Sequence, residues 1–306
     1  MKHHVASIIV LNALLVWQNS LAAEATHHKV DVCVYGGTAS GVMAALAADK
    51  DGANVILVEP SRWLGGMTGG GINHLDWGKG NTVGGSTYKI LMEGVKEQPR
   101  AHGGHAVQGV GNKEYRERFK KAVEDRGITV IYNHRIDEVH VGDRTIDSPT
   151  RKEPIAMNES VAVTNQSNSI RSITLDYAPV DETGCPIPEP EKRNAITVSA
   201  KVFIDCSYEG DVLGMSGVSY TWGRESREHY DESLAGVRPS LWVHDIDPYI
   251  EPGNSESGLV PFVQDRKGGP LGSADSLSMG YCFRHEFDMS GKGIPIPEPT
   301  NYDPAE

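Results

Sequence analysis

The fold is decided by Val30-Asp31-Val32-Cys33-Val34-Tyr35-Gly36-Gly37-Thr38-Ala39-Ser40-Gly41. Residues 30–35 are rich in β-branched side chains, which predicts a strand that is buried on both faces. The glycine-rich turn leads into an alanine-rich segment, 42–50, which predicts a helix, and residues 54–59 predict a second buried strand. Strand, turn, helix and strand in this order predict a βαβ unit and therefore a parallel sheet.

The turn between strand and helix has the features of a dinucleotide-binding fingerprint. Gly36 would make the turn out of the strand, and Gly41 would let the helix pack closely on it. Thr38 stands where Gly-x-Gly-x-x-Gly has its second glycine, so an ordinary strand-to-helix turn is the alternative. Glu59 ends the second strand, where an acid can accept hydrogen bonds from ribose hydroxyls. The turn and the acid together predict that a dinucleotide places its phosphates at the helix N-terminus.

The rest of the chain predicts a mixed sheet domain followed by a less regular region. A long glycine-rich loop is predicted over 61–85, a second loop over 147–160, and helices over 86–95 and 113–125. Strands are predicted over 128–132, 135–141, 169–177, 195–202 and 201–206. We expect the strands at about 128–200 to form an antiparallel β-meander inserted in the sheet domain. The pattern weakens after residue 226.

Composition limits the function classes. A formal net charge of −12 argues against nucleic-acid binding. The four cysteines form no Cys-x-x-Cys pair, and we predict no metal site.

The first 23 residues have the pattern of a secretory signal peptide. Lys2 gives a positive start, residues 5–17 are mostly apolar, and Ala22-Ala23 offers a cleavage point. We therefore expect a secreted or periplasmic protein; a retained membrane anchor is the alternative. No later stretch is long and apolar enough to predict a membrane span.

Three ordered segments resemble one known family. They are the turn at 36–41, the loop Trp63-Leu64-Gly65-Gly66-Met67-Thr68-Gly69-Gly70-Gly71, and Phe203-Ile204-Asp205-Cys206-Ser207-Tyr208-Glu209-Gly210-Asp211. Together they resemble the FAD-dependent oxidoreductases of the glutathione-reductase-like superfamily, in which Thr38 is a family variant of the fingerprint. The resemblance implies an α/β, Rossmann-like FAD-binding fold with a parallel sheet, and FAD as the cofactor.

The resemblance also implies roles for particular residues. The pyrophosphate would be held by Gly36, Gly37, Thr38, Ser40 and Gly41. The adenosine end would be contacted by Glu59, Arg62 and Ile136. The loop residues Gly65, Gly66, Met67 and Thr68 would run beside the phosphates towards the flavin ring. Asp205 and Asp211 would bind the ribityl chain or nearby backbone.

The sequence indicates the catalytic residues and the substrate less clearly than the cofactor. Flavin carries out the redox step, and a proton-handling group beside it would be needed for hydride transfer from a carbon bearing OH or NH. His74 and Arg284 are the candidate catalytic residues, and a small polar molecule is the expected substrate. An NAD-binding protein is a further alternative.

The domain prediction assigns 24–225 to FAD binding and 226–306 to a partial substrate region. Members of the resembled family are longer, so we expect a C-terminally truncated chain; a naturally shortened member is the alternative. A truncated chain could be a flavin-binding remnant without turnover instead of an active enzyme.

Overall fold

The structure is a computed structural model. It describes residues 26–70, 74–75, 84–99, 105–108, 110–147, 169–181, 187, 191–238, 247–260, 263, 269–277, 291–293 and 295. The predicted signal segment 1–23, the candidate Arg284 and residues 148–160 of a predicted loop lie outside this set.

The strands and helices of the described residues are numbered in chain order. The strands are β1 (Thr26–Tyr35), β2 (Val55–Glu59), β3 (His74–Leu75), β4 (Lys96–Pro99), β5 (His105–Gln108), β6 (Thr129–Tyr132), β7 (His134–Val141), β8 (Arg144–Asp147), β9 (Ile170–Tyr177) and β10 (Glu191–Asp205). The helices are α1 (Ala39–Lys50), α2 (Gly66–Gly70), α3 (Gly85–Met92), α4 (Asn112–Glu124), α5 (Asp211–Ser216) and α6 (Arg227–Tyr230).

The predicted βαβ unit is present and forms one half of the main sheet. This seven-stranded sheet has the order β6-β2-β1-β10-β9-β7-β8. The pairs β6–β2, β2–β1 and β1–β10 are parallel, with Val34 opposite Leu57 on one side and Ile204 on the other. The remaining three pairs are antiparallel. The Rossmann-like α/β prediction is therefore confirmed.

Strand β10 joins the parallel and antiparallel halves. The two strands predicted over 195–202 and 201–206 form this single strand of 15 residues. It pairs with β1 along one edge and with β9 along the other, with Ser199 opposite both Lys29 and Ser172. The meander of β7, β8 and β9 therefore continues the main sheet, while β6 belongs to its parallel half. The strands β3, β5 and β4 form a separate small sheet that the sequence pattern did not predict.

The core lies on both faces of the sheet because successive strand side chains point to opposite sides. Cys33 and Tyr35 of β1 belong to one buried cluster, and Val34 belongs to the other. The second cluster also contains Tyr115 and Phe119 of α4. Every residue of β2 is buried, as its unbroken apolar run predicted.

The chain divides into two compact units, 1–219 and 220–306. In the second unit, Arg224 and Asp275 form an ion pair and also exchange two backbone hydrogen bonds. The amide of Val237 donates to Ser273 O, and the amide of Gly272 donates to Val237 O. Among the described residues, no helix has the length and apolarity to span a bilayer.

Candidate cofactor-binding site

The three segments singled out in the sequence converge where β1 and β10 end. The amide of Gly65 donates to Gly37 O over 2.8 Å, which joins the glycine loop to the glycine turn. The amide of Cys206 donates to Tyr35 O over 2.8 Å, which holds the third segment beside the turn. In open α/β sheets, this edge at the carboxyl ends of the strands is where ligands bind.

Thr38 has a structural role that its place in the fingerprint did not reveal. Its backbone is extended, with φ −63° and ψ 174°, and its hydroxyl accepts from the amide of Gly41 over 3.2 Å. The same hydroxyl donates to Cys206 O over 2.8 Å, and Ser40 Oγ lies 2.9 Å from it. Thr38 is therefore the N-cap of α1, which explains why the helix begins at Ala39, earlier than predicted. A threonine just ahead of a helical run is the sequence signal for such a cap.

Backbone packs tightly at two of the glycines in the turn. Gly36 has φ +94°, and a Cβ there would lie 2.6 Å from Ser207 N. A Cβ on Gly41 would overlap Gly36 O. Neither position has room for a side chain, so the backbone of the turn packs directly against the start of α1 and against the third segment. The N-terminus of α1 carries the positive end of the helix dipole, so this arrangement fits a diphosphate.

Glu59 is buried and turned toward the glycine turn. Its Oε2 accepts from the amide of Gly37 over 2.7 Å, and its Oε1 accepts from the amide of Ser61 over 2.6 Å. Burial raises the pKa of this carboxyl, although the hydrogen bonds lower it. The acid thus fixes the turn and the loop that follows β2. Each carboxylate oxygen can accept a second hydrogen bond, so a ribose hydroxyl can still bind.

The glycine loop is partly helical. Residues Gly66–Gly70 form the short helix α2. The amides of Thr68 and Gly69 donate hydrogen bonds to Gly65 O at its start. Glycine has low helix propensity, so the sequence predicted a loop here. Tyr208 from the third segment contacts Gly66 closely, and its hydroxyl accepts from the amide of Met67 over 2.8 Å.

Tyr208→Phe tests this link between the loop and the third segment. We expect the free energy of unfolding to fall by about 1 kcal/mol, because one backbone amide loses its acceptor while the ring stays in place. Urea denaturation measures the change. Tyr88→Phe is the matched control, because Tyr88 has the same 52% exposure and its hydroxyl has no hydrogen bond within the described residues. Equal losses in both variants would contradict a specific role for Tyr208.

The two aspartates of the third segment bind protein groups. Asp205 accepts from Ser207 N and Ser207 Oγ through one oxygen, and from Leu213 N through the other. Asp211 Oδ2 lies 3.3 Å from the hydroxyl of Tyr35, which accepts from the amide of Ile136 over 3.1 Å.

Burial, followed by the nearby acidic side chains, raises the pKa of Asp211. Tyr35 was not predicted as a site residue, yet it connects Ile136 of the meander to the third segment.

The other predicted site residues are placed as follows. Arg62 is exposed and its guanidinium lies over the ring of Trp63. His74 is in β3, opposite Gln108 of β5, and its side chain lies outside the described part of the chain, as does all of Arg284. No cluster of metal-ligating side chains occurs among the described residues.

Comparisons with solved structures give only distant similarity. THI4 from Thermovibrio ammonificans has 15% identity and a TM-score of 0.40, and the match covers 74% of this chain and 75% of that one. A geranylgeranyl bacteriochlorophyll reductase-like protein from Thermoplasma acidophilum has 15% identity and a TM-score of 0.36, with 63% and 43% covered. Mycobacterium smegmatis Sdh1 in complex with UQ1 has 12% identity and a TM-score of 0.37, with 59% and 34% covered. The chain thus spans less than half the length of the latter two.

A family model matches most of the chain. No curated protein matches the chain. The model described as FAD dependent oxidoreductase matches residues 31–162 and 187–306. The matched ranges include the glycine turn, the glycine loop and the third segment, and they cover more than half of the chain. The chain therefore belongs to the FAD dependent oxidoreductase family, and FAD is its cofactor.

Proposed function

We propose that this chain catalyses an FAD-dependent oxidation or reduction of a small polar molecule. The observation that carries the proposal is the convergence of three segments at one sheet edge. Thr38, Gly65 and Cys206 are linked there through hydrogen bonds. Family membership indicates the class of reaction, and this geometry indicates which groups would bind FAD.

The residues present fit FAD. The turn around Gly36 and Gly41 leaves no room for side chains, and α1 directs its N-terminus to the same edge. Glu59 lies at the end of β2, where the ribose of a dinucleotide would be bound. FAD, when bound, supplies the electron-accepting or electron-donating centre.

The protein would orient the substrate and handle the proton. We propose His74 as the group that moves a proton at the substrate and Arg284 as a contact for a polar or anionic substrate group. The proposal for His74 is supported by its position in the sequence. His74 follows the glycine loop, and the resemblance places that loop beside the flavin ring. A general base needs only hydrogen-bond reach of the proton it removes.

Purification and substrate addition test the proposal. We expect the full chain to retain FAD, giving a yellow protein whose visible flavin band bleaches when a substrate is added without oxygen. A panel of sugars, hydroxy acids and amines supplies carbons that bear OH or NH. His74→Gln should slow the bleaching and leave the FAD content unchanged.

The outcomes separate the alternatives. A colourless protein, with no flavin released on denaturation, contradicts FAD binding. A yellow protein that dithionite bleaches and no substrate bleaches favours the flavin-binding remnant without turnover. Bleaching by a substrate at an unchanged rate in His74→Gln removes His74 from the mechanism.

We also propose export, on the pattern of residues 1–23 alone. If the signal is used, the protein recovered outside the cytoplasm begins at Glu24, which N-terminal sequencing measures. Recovery of the full-length chain only in the cytoplasm contradicts this proposal.

A further inference from the structure

Tyr35 ends β1 with a ring that lies in the apolar core. The residue is 1% exposed and belongs to the buried cluster that contains Val212 and Met215 of α5. Its hydroxyl donates to Asp211 Oδ2 over 3.3 Å and accepts from the amide of Ile136 over 3.1 Å. Burial of a hydroxyl is costly unless it is hydrogen-bonded, and this one has both a donor and an acceptor. Tyr35 therefore connects the core and the meander to one acid of the third segment.

The two aspartates of the third segment differ in what their oxygens bind. Asp205 uses both oxygens for protein donors, which are the amide and hydroxyl of Ser207 and the amide of Leu213. Asp211 is half-buried, and its Oδ1 accepts no hydrogen bond from the part of the chain that the structure describes. Asp205 therefore organises the segment, whereas Asp211 keeps one carboxylate oxygen for a ligand.

Glu59 and Asp211 come from opposite sides of the strand that leads into the glycine turn. β1 pairs with β2 along one edge and with β10 along the other. Glu59 is the last residue of β2, and Asp211 lies just after the end of β10. In FAD, the diphosphate likewise lies between two groups that carry hydroxyls, the ribose and the ribityl chain. A carboxylate only accepts hydrogen bonds, so it suits hydroxyls, and with the ribose at Glu59 the group left for Asp211 is the ribityl chain.

We propose that Tyr35 is a positioning residue for FAD, whose hydroxyl orients the carboxylate of Asp211 so that Oδ1 accepts from a ribityl hydroxyl. The amide of Ile136 holds the hydroxyl of Tyr35 in turn, and a binding group supported in this way keeps its geometry. Burial, followed by the nearby acids, raises the pKa of Asp211, and the hydrogen bond from Tyr35 opposes this rise. The hydroxyl thus favours the ionised carboxylate, which is the stronger acceptor. This role rests on the proposed function, because it requires FAD at the glycine turn.

Calorimetric titration of the full, FAD-free chain with FAD and with ADP tests this role. ADP contains the adenine, ribose and diphosphate of FAD but lacks the ribityl chain and the flavin. Tyr35→Phe should weaken FAD binding about fivefold, because Asp211 loses the donor that orients it, and should leave ADP affinity within about twofold of wild type. Asp211→Ala should weaken FAD binding about tenfold and likewise spare ADP. Adding Tyr35→Phe to Asp211→Ala should cause at most about a twofold further loss, because residues that act through each other are not additive.

Tyr115→Phe is the matched control. Tyr115 is 2% exposed and its hydroxyl donates to Leu91 O over 3.1 Å, so this substitution also removes a buried hydrogen bond, but one outside the third segment. Both affinities should stay within about twofold of wild type, because the two sites are independent. Thermal unfolding of each variant establishes that it is folded.

Three results would overturn the role of Tyr35. Equal weakening of FAD and ADP binding by Tyr35→Phe would mean that the hydroxyl only supports the fold. A loss in the double variant as large as that in the wild-type background would mean that Tyr35 does not act through Asp211. Wild-type FAD affinity in Asp211→Ala would remove the carboxylate from the site, whether or not Tyr35→Phe folds. A wild-type chain that binds no FAD contradicts the proposed function as well, whereas the three results above contradict only the role of Tyr35.

Discussion

Gly41→Ala is expected to lower the free energy of unfolding by about 3 kcal/mol and to abolish retention of FAD. In an ordinary helix interior, replacing glycine by alanine stabilises by about 1 kcal/mol. Here the added Cβ would overlap Gly36 O and lie 3.2 Å from Cys206 Cβ. The backbone of the turn would have to move away from α1, which would displace the site proposed for the diphosphate. Urea denaturation and the flavin absorbance of the purified protein measure the two effects.

Gly84→Ala is the control for this substitution. Gly84 precedes α3, has φ −137°, and a Cβ there would meet no atom within 4 Å. This variant should stay within about 1 kcal/mol of wild type, the usual range for a helix N-cap. Wild-type stability and full FAD content in Gly41→Ala would show that the turn is less tightly packed than the structure indicates.

The sequence pattern was sufficient to predict the strands in the parallel half of the sheet. Strand β2 and the end of β1, Cys33–Tyr35, are buried on both faces, so their apolar runs are easy to recognise. It was insufficient for β10, where the exposed charged residue Lys201 interrupts the apolar run of a single strand. It was also insufficient for α2, because Gly66 and Gly69 have no helical preference. That helix depends on tertiary contacts, since a Cβ on Gly65 would overlap the Phe119 ring of α4.

In the candidate site, too, the sequence predicted local motifs but not contacts between distant segments. The turn, the loop and the third segment were predicted because each is a local motif. The hydroxyls of Tyr35, Thr38 and Tyr208 join these segments to one another or to the meander across 101 to 176 residues of sequence. No local pattern specifies such partners.

Glu59→Gln is expected to cost about 2 kcal/mol of stability and to weaken FAD binding by tenfold or more. Glu59 accepts from the amides of Gly37 and Ser61 through different oxygens. A glutamine has one oxygen, so its NH₂ group would face one of those amides and leave a buried donor without an acceptor. Urea denaturation and FAD titration measure the losses. Glu124→Gln, an exposed carboxylate 3.9 Å from Lys120, is the control and should stay near wild type.

The pH dependence of the same variant distinguishes burial from hydrogen bonding as the dominant influence on Glu59. Burial raises the pKa of Glu59 above the ordinary value of 4.5, against the opposing effect of the amides of Ser61 and Gly37. A carboxyl with a raised folded-state pKa contributes its full stability below the ordinary pKa, and this contribution is lost as pH rises through the folded value. Glutamine does not ionise, so the stability difference between wild type and Glu59→Gln should shrink as pH rises from 4.5 in the FAD-free protein. A difference that grows with pH would mean that the two amides outweigh desolvation, and that the buried acid is more stable ionised than neutral.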